Sequence, residues 1–129
     1  MSDRDVKARS AAVALLSLRV AYGAALIVAP AKVASKRWLG PGASAAAARV
    51  PLRGLGAREV ALHGLALATV LRGASARTLF GASIAGDLAD VGAAVLDRDG
   101  LPEGSAIATA AVAGGSAVLT AAVAAALER

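Results

Sequence analysis

The stretch Ser105–Leu127 runs for 23 residues without a charged side chain. As a helix it would be roughly 35 Å long, about the thickness of a bilayer's hydrocarbon core. A helix stable in water needs a polar face, and this one has none to offer. Three further blocks repeat the pattern. Residues 11–29 carry Arg19 as their one charge, residues 54–71 carry Arg58, Glu59 and His63, and residues 78–96 carry Asp87 and Asp90. Short segments rich in charge, glycine and proline separate the blocks. The alanine-rich runs show no alternation of period two, so helix is expected throughout. The chain therefore reads as an all-α, four-transmembrane-helix bundle, one integral membrane domain over 1–129. Its spans lie near 11–29, 54–71, 78–96 and 105–127.

The connections suit that reading. Pro30 and the Gly40-Pro41-Gly42 cluster break the chain after the first block. Between them, Lys32, Lys36 and Arg37 accompany Val33, Trp38 and Leu39, as expected for an interfacial helical turn with Trp38 at headgroup level. Residues 72–77 form a tight loop and residues 97–104 a polar one, with Ser105 placed to cap the last helix. An alanine-rich soluble bundle is the alternative, but it would need a charged face on each helix. A cleaved signal peptide ending at Ala29-Pro30-Ala31 is another. The first block exceeds the 7–15 or so residues of a typical signal core and holds Arg19 and Tyr22 within it.

A net charge of +5 would suit nucleic acid if the basic residues formed a patch. They are spread instead. Four spans put Arg4, Lys7, Arg9, Arg72, Arg77 and Arg129 on one side, and Lys32, Lys36, Arg37, Arg49, Arg53 and Arg98 on the other. The count ties, and placing Arg49 and Arg53 in an extended second helix tips it toward cytoplasmic termini. Membrane lipids are the expected partner, not nucleic acid, with a bacterial plasma membrane as the location. The absence of cysteine excludes disulfides and thiolate chemistry. No phosphate-binding loop, nucleophile elbow or zinc-protease motif is present.

Charges at bilayer depth cost about 2.5–3.5 kcal/mol each on insertion scales, so the intramembrane ones need partners. Asp87 and Asp90 share a helical face, with Ser83 one turn before Asp87. Glu59 and His63 share another face, with Arg58 beside it, and Arg19 with Tyr22 form an i,i+3 pair. Two cations and three carboxylates are thus expected to meet inside the bundle, Arg58 reaching Asp87 or Asp90 as a forked donor. Asp87, Asp90, Glu59 and Arg58 are the candidate catalytic groups, supported by Arg19, Tyr22, His63 and Ser83. One histidine alone cannot ligate a haem twice, and His63 with the carboxylates has no specific metal-ligand spacing, so no cofactor and no metal are expected. Small-residue pairs such as Ala82/Gly86 and Ala89/Ala93, and the Gly114-Gly115-Ser116 run, are expected points of close helix contact, compatible with a homo-oligomer.

Taken together, Arg19-x-x-x-Gly23, Ala29-Pro30, Gly56-Ala57-Arg58-Glu59 and Asp87-x-x-Asp90 resemble an uncharacterised family of small four-helix membrane proteins common in actinobacteria. That family is distantly similar to DoxX-like proteins. The chain departs from its pattern at Glu59, where aspartate is usual, and at His63, where glycine is. The resemblance implies the fold and a membrane location. Three functions remain open: a structural or accessory membrane protein, an acid–base enzyme acting on a lipophilic small molecule (isomerase, cyclase or epoxide-opening type), and an oligomeric transporter or proton path.

Overall fold

The structure, a computed structural model, describes residues 1–128; Arg129, counted in the charge balance above, lies outside them. Five α-helices follow one another: α1 (Asp3–Val28), α2 (Pro30–Ala34), α3 (Ala46–Leu71), α4 (Arg77–Leu96) and α5 (Ser105–Leu127). Short 3-10 turns at Gly40–Ser44 and Arg98–Gly100 join them, and the described residues contain no strand.

Local chemistry sets the helix ends. Ser2 opens α1 with a capping box: its hydroxyl accepts the Asp5 N–H at 3.2 Å, and the Asp5 carboxylate accepts the Ser2 N–H at 2.8 Å. Pro30 cannot continue α1 and instead starts α2. At the end of α3, Gly73 takes a φ of 73°, and the N–H groups of Gly73 and Ala74 return to the carbonyls of Val70 and Thr69. This Schellman closure turns the chain sharply into α4. Ser105, expected as a cap, is not one. Gly104, at φ 78°, precedes α5, and the Ser105 hydroxyl is buried with no hydrogen-bond partner among the described residues.

The four long helices run up, down, up, down. Arg9 donates to the Leu71 carbonyl at 2.6 Å at one end of the α1–α3 pair, and Arg53 donates to the Ile27 carbonyl at 3.1 Å near the other. α1 and α3 therefore lie antiparallel along most of their length, as do α4 and α5. The two hairpins close into a bundle through α1 against α5 and a thinner seam of α3 against α4. Arg49 and Arg53 both fall within α3, which starts eight residues before the apolar block at Gly54.

Two apolar clusters fill opposite ends of the bundle. One joins Ala12 and Leu16 of α1 to Ala66 and Val70 of α3 and to Phe80 of α4. The other joins Leu26 and Leu52 to Ala34 and Ala43, so that α2 and the following 3-10 turn plug that end, with half-buried Trp38 packed on it. The middle layer is polar: Glu59, His63, Ser83 and Asp87 are buried there, while Leu18, Leu65, Leu88 and Val118 are exposed on the outside.

Such an inverted distribution is unfavourable in water and favourable in lipid, where apolar exteriors meet acyl chains and polar groups must be satisfied internally. Three helices, α1, α4 and α5, are long and apolar enough to cross a membrane. α3 equals α1 in length but bears Arg49, Arg53, Arg58 and Glu59 and is not among them.

Helix contact occurs where the sequence did not direct attention. Ala82, Ala89 and Ala93 are exposed, and a Cβ added at Gly114 or Gly115 would meet nothing within 4 Å. The backbones touch instead at Gly23 and Gly56. A Cβ built on Gly56 would lie 2.5 Å from the Gly23 carbonyl oxygen, and one on Gly23 would lie 2.7 Å from the Gly56 oxygen. Only glycine on both helices permits that approach.

Candidate functional site

The Gly23–Gly56 crossing places the polar layer. Arg19 is one helical turn before Gly23 on α1, and Glu59 is three residues after Gly56 on α3, so backbone contact brings the two side chains together. The Arg19 Nε donates to Glu59 Oε2 at 2.8 Å and its Nη2 to Oε1 at 3.1 Å. The same guanidinium reaches α4, with Nη2 donating to Asp87 Oδ1 at 2.8 Å and Nη1 to Oδ2 at 2.9 Å. Its remaining Nη1 hydrogen goes to the Ser116 hydroxyl of α5. All five N–H groups of Arg19 are thereby used, on three other helices. Arg19 is the hub of the bundle.

His63, one turn beyond Glu59, extends the network. Its Nδ1 lies 2.9 Å from the Glu59 backbone carbonyl and 3.3 Å from Glu59 Oε2. A carbonyl can only accept, so Nδ1 carries a proton; in the neutral ring Nε2 then accepts the Ser83 hydroxyl, 2.8 Å away on α4. Glu59, His63, Ser83 and Asp87 are all nearly sealed off, Glu59 at 3% exposure. Half-buried Tyr22, one turn from Arg19, packs against the apolar cluster on the Leu26 side.

Arg58 takes a different place from the one its sequence position suggested. It does not reach Asp87, whose two oxygens are held by Arg19; it donates to Asp90 Oδ2 at 3.3 Å. The pair sits on the flank of the bundle, with side chains 46% and 39% exposed, and not in its interior. The expected single cluster of two cations and three carboxylates is thus divided into a sealed Arg19–Glu59–Asp87 core and an outer Arg58–Asp90 bridge. Ser116 belongs to the core, although its sequence context suggested only a close helix contact. It is one of four hydroxyls on that uncharged helix, with Ser105, Thr109 and Thr120, so the sequence alone does not single it out. Arg58→Gln is expected to lower the monomer's stability less than loss of Arg19 does, because the half-exposed Arg58–Asp90 bridge joins only α3 to α4. Denaturant titration of the variant in mixed micelles checks this.

The core offers little open surface, since Glu59, His63, Ser83 and Asp87 are all buried. Two surface hollows, of about 270 and 360 Å³, are lined by Leu96, Asp97 and Leu101 and by Val6, Arg9 and Val13, respectively. Neither borders Arg19, Glu59, Asp87 or Asp90. Among the described residues, no group of three or more His, Asp or Glu side chains is placed to hold a metal ion. No family model, curated protein or solved structure matches the chain.

Proposed function

We propose that the chain is a non-enzymatic protein of the bacterial plasma membrane, crossing it four times and acting as a structural or accessory component of a membrane assembly. The observation that carries this reading is the saturation of Arg19. A guanidinium whose every hydrogen is bound to Glu59, Asp87 or Ser116 has no donor left for a substrate, and it fastens α1 to α3, α4 and α5 at once. The geometry supports four spans: α3 lies along α1 for most of its length and turns Glu59 toward Arg19, as a helix that crosses beside α1 would. The resemblance to small four-helix membrane proteins agrees with this arrangement.

Carboxylates retained for structure and carboxylates retained for chemistry respond oppositely to removal. Groups kept for catalysis tend to be strained, and neutralising them tends to stabilise a fold. Groups that neutralise a buried cation destabilise it when lost. Asp87→Asn and Glu59→Gln are therefore each expected to lower the stability of the protein in micelles. In a double-mutant cycle, Arg19→Gln with Asp87→Asn should show a coupling of about 1–3 kcal/mol. Stabilisation by either carboxylate change, or independence of the two sites, would count for the acid–base alternative.

A further inference from the structure

The outer bridge is left without cover. Arg58 and Asp90 face away from the bundle where α3 meets α4, and Asp90 lies six residues before the end of α4, roughly 9 Å inside it. Ionic side chains at membrane depth are found facing a bundle interior, a water-filled cavity or another protein, because exposure to acyl chains is costly. Arg58 also lies across α4 at its slimmest point: a Cβ built on Gly86 would be 3.6 Å from the guanidinium. Beside that point, Ala82, Ala89 and Ala93 recur at helical spacing, all exposed. The result is a cation and an anion side by side, next to a strip of small side chains on which another helix can lie closely.

We propose that this α3–α4 face is a homodimer interface, in which a two-fold axis sets Arg58 of each copy opposite the partner's Asp90. The inference rests on the membrane reading above. The occupant is a second copy because the face is complementary to itself. A two-fold rotation carries a plus–minus pair onto a minus–plus pair, so both charges are neutralised with no third component. The two bridges merge into a ring of four alternating charges, and the alanine strips let the α4 helices approach. A lipid phosphate is a poorer match, since the pair sits below the depth at which headgroups lie.

The test uses the full chain, labelled at an introduced terminal cysteine and reconstituted in phosphatidylethanolamine–phosphatidylglycerol vesicles. Energy transfer between donor- and acceptor-labelled chains is followed as lipid is added. Wild-type chains should pair. Arg58→Asp and Asp90→Arg should each weaken pairing at least tenfold alone, and equal parts of the two should pair with each other. Ala89→Leu, remote from the Arg19 core, should weaken pairing at least tenfold while leaving the unfolding midpoint unchanged in dilute micelles, where the chains are monomeric. A wild-type chain that stays monomeric in the bilayer, or reversed-charge chains that fail to pair when mixed, would overturn the proposal. So would native mass spectrometry showing an Arg58-dependent lipid in place of a second chain. Flotation with the vesicles scores insertion separately. A floating monomer overturns the dimer alone, and a chain that does not float overturns the membrane reading beneath it.

Discussion

Arg19→Gln should be the most damaging single change in the molecule, costing about 3–5 kcal/mol, because it leaves two buried carboxylates without their cation. Glu59 and Asp87 are both 3% exposed and approach each other only through that guanidinium. Without it, like charges face one another in a low-dielectric layer. Arg19→Lys should rescue little. An ammonium keeps the charge but has three donors on a single nitrogen, and it cannot hold two carboxylates edge-on while also reaching Ser116. Denaturant unfolding in mixed micelles measures both. Near-complete rescue by lysine would show that only the charge matters and not the fork.

The second large effect is expected at Gly56. Gly56→Val places a branched side chain where a Cβ alone would lie 2.5 Å from a backbone oxygen of α1 and 2.9 Å from the Leu26 Cβ. Neither neighbour is the far end of a flexible chain, so α1 and α3 must separate. Overpacking of this kind costs about 1–3 kcal/mol, and here the displacement also pulls Arg19 from Glu59. The distinguishing readout is the coupling between Arg19→Gln and Asp87→Asn, which should fall well below its wild-type value in the Gly56→Val background. If that coupling persists unchanged, the glycine crossing does not set the register of the clasp. Gly54→Val, two residues away and facing open space, is the matched control and should be mild.

These two positions also show what could be read from the chain beforehand. Long apolar blocks predict helices because length and hydropathy are local properties, and the four blocks fall within α1, α3, α4 and α5 but for Ala29, one residue past the end of α1. Same-face pairs were equally legible: Glu59 with His63, and Ser83 with Asp87, follow from 3.6 residues per turn and lie together in the polar layer. Register between helices was not legible. Periodicity says that Arg58 and Arg19 are both within reach of the aspartates, but only the Gly23–Gly56 contact decides which cation goes inward. Against so much alanine, two glycines on different helices give no local signal that they meet. The ionic groups of α3 illustrate the same limit: Arg58, Glu59 and His63 lower its apolar character, and all three are matched by side chains distant in sequence.

An apolar exterior around a buried ionic layer is the distribution that a lipid surround favours. With no native cysteine, single labels can be placed at will. Spin labels at Leu18, Leu88 and Val118, on α1, α4 and α5, report the surroundings directly. In vesicles, all three should collide freely with molecular oxygen and scarcely at all with a water-soluble nickel chelate. Easy access of the chelate at all three positions, from a protein that stays monodisperse without detergent, would contradict the account.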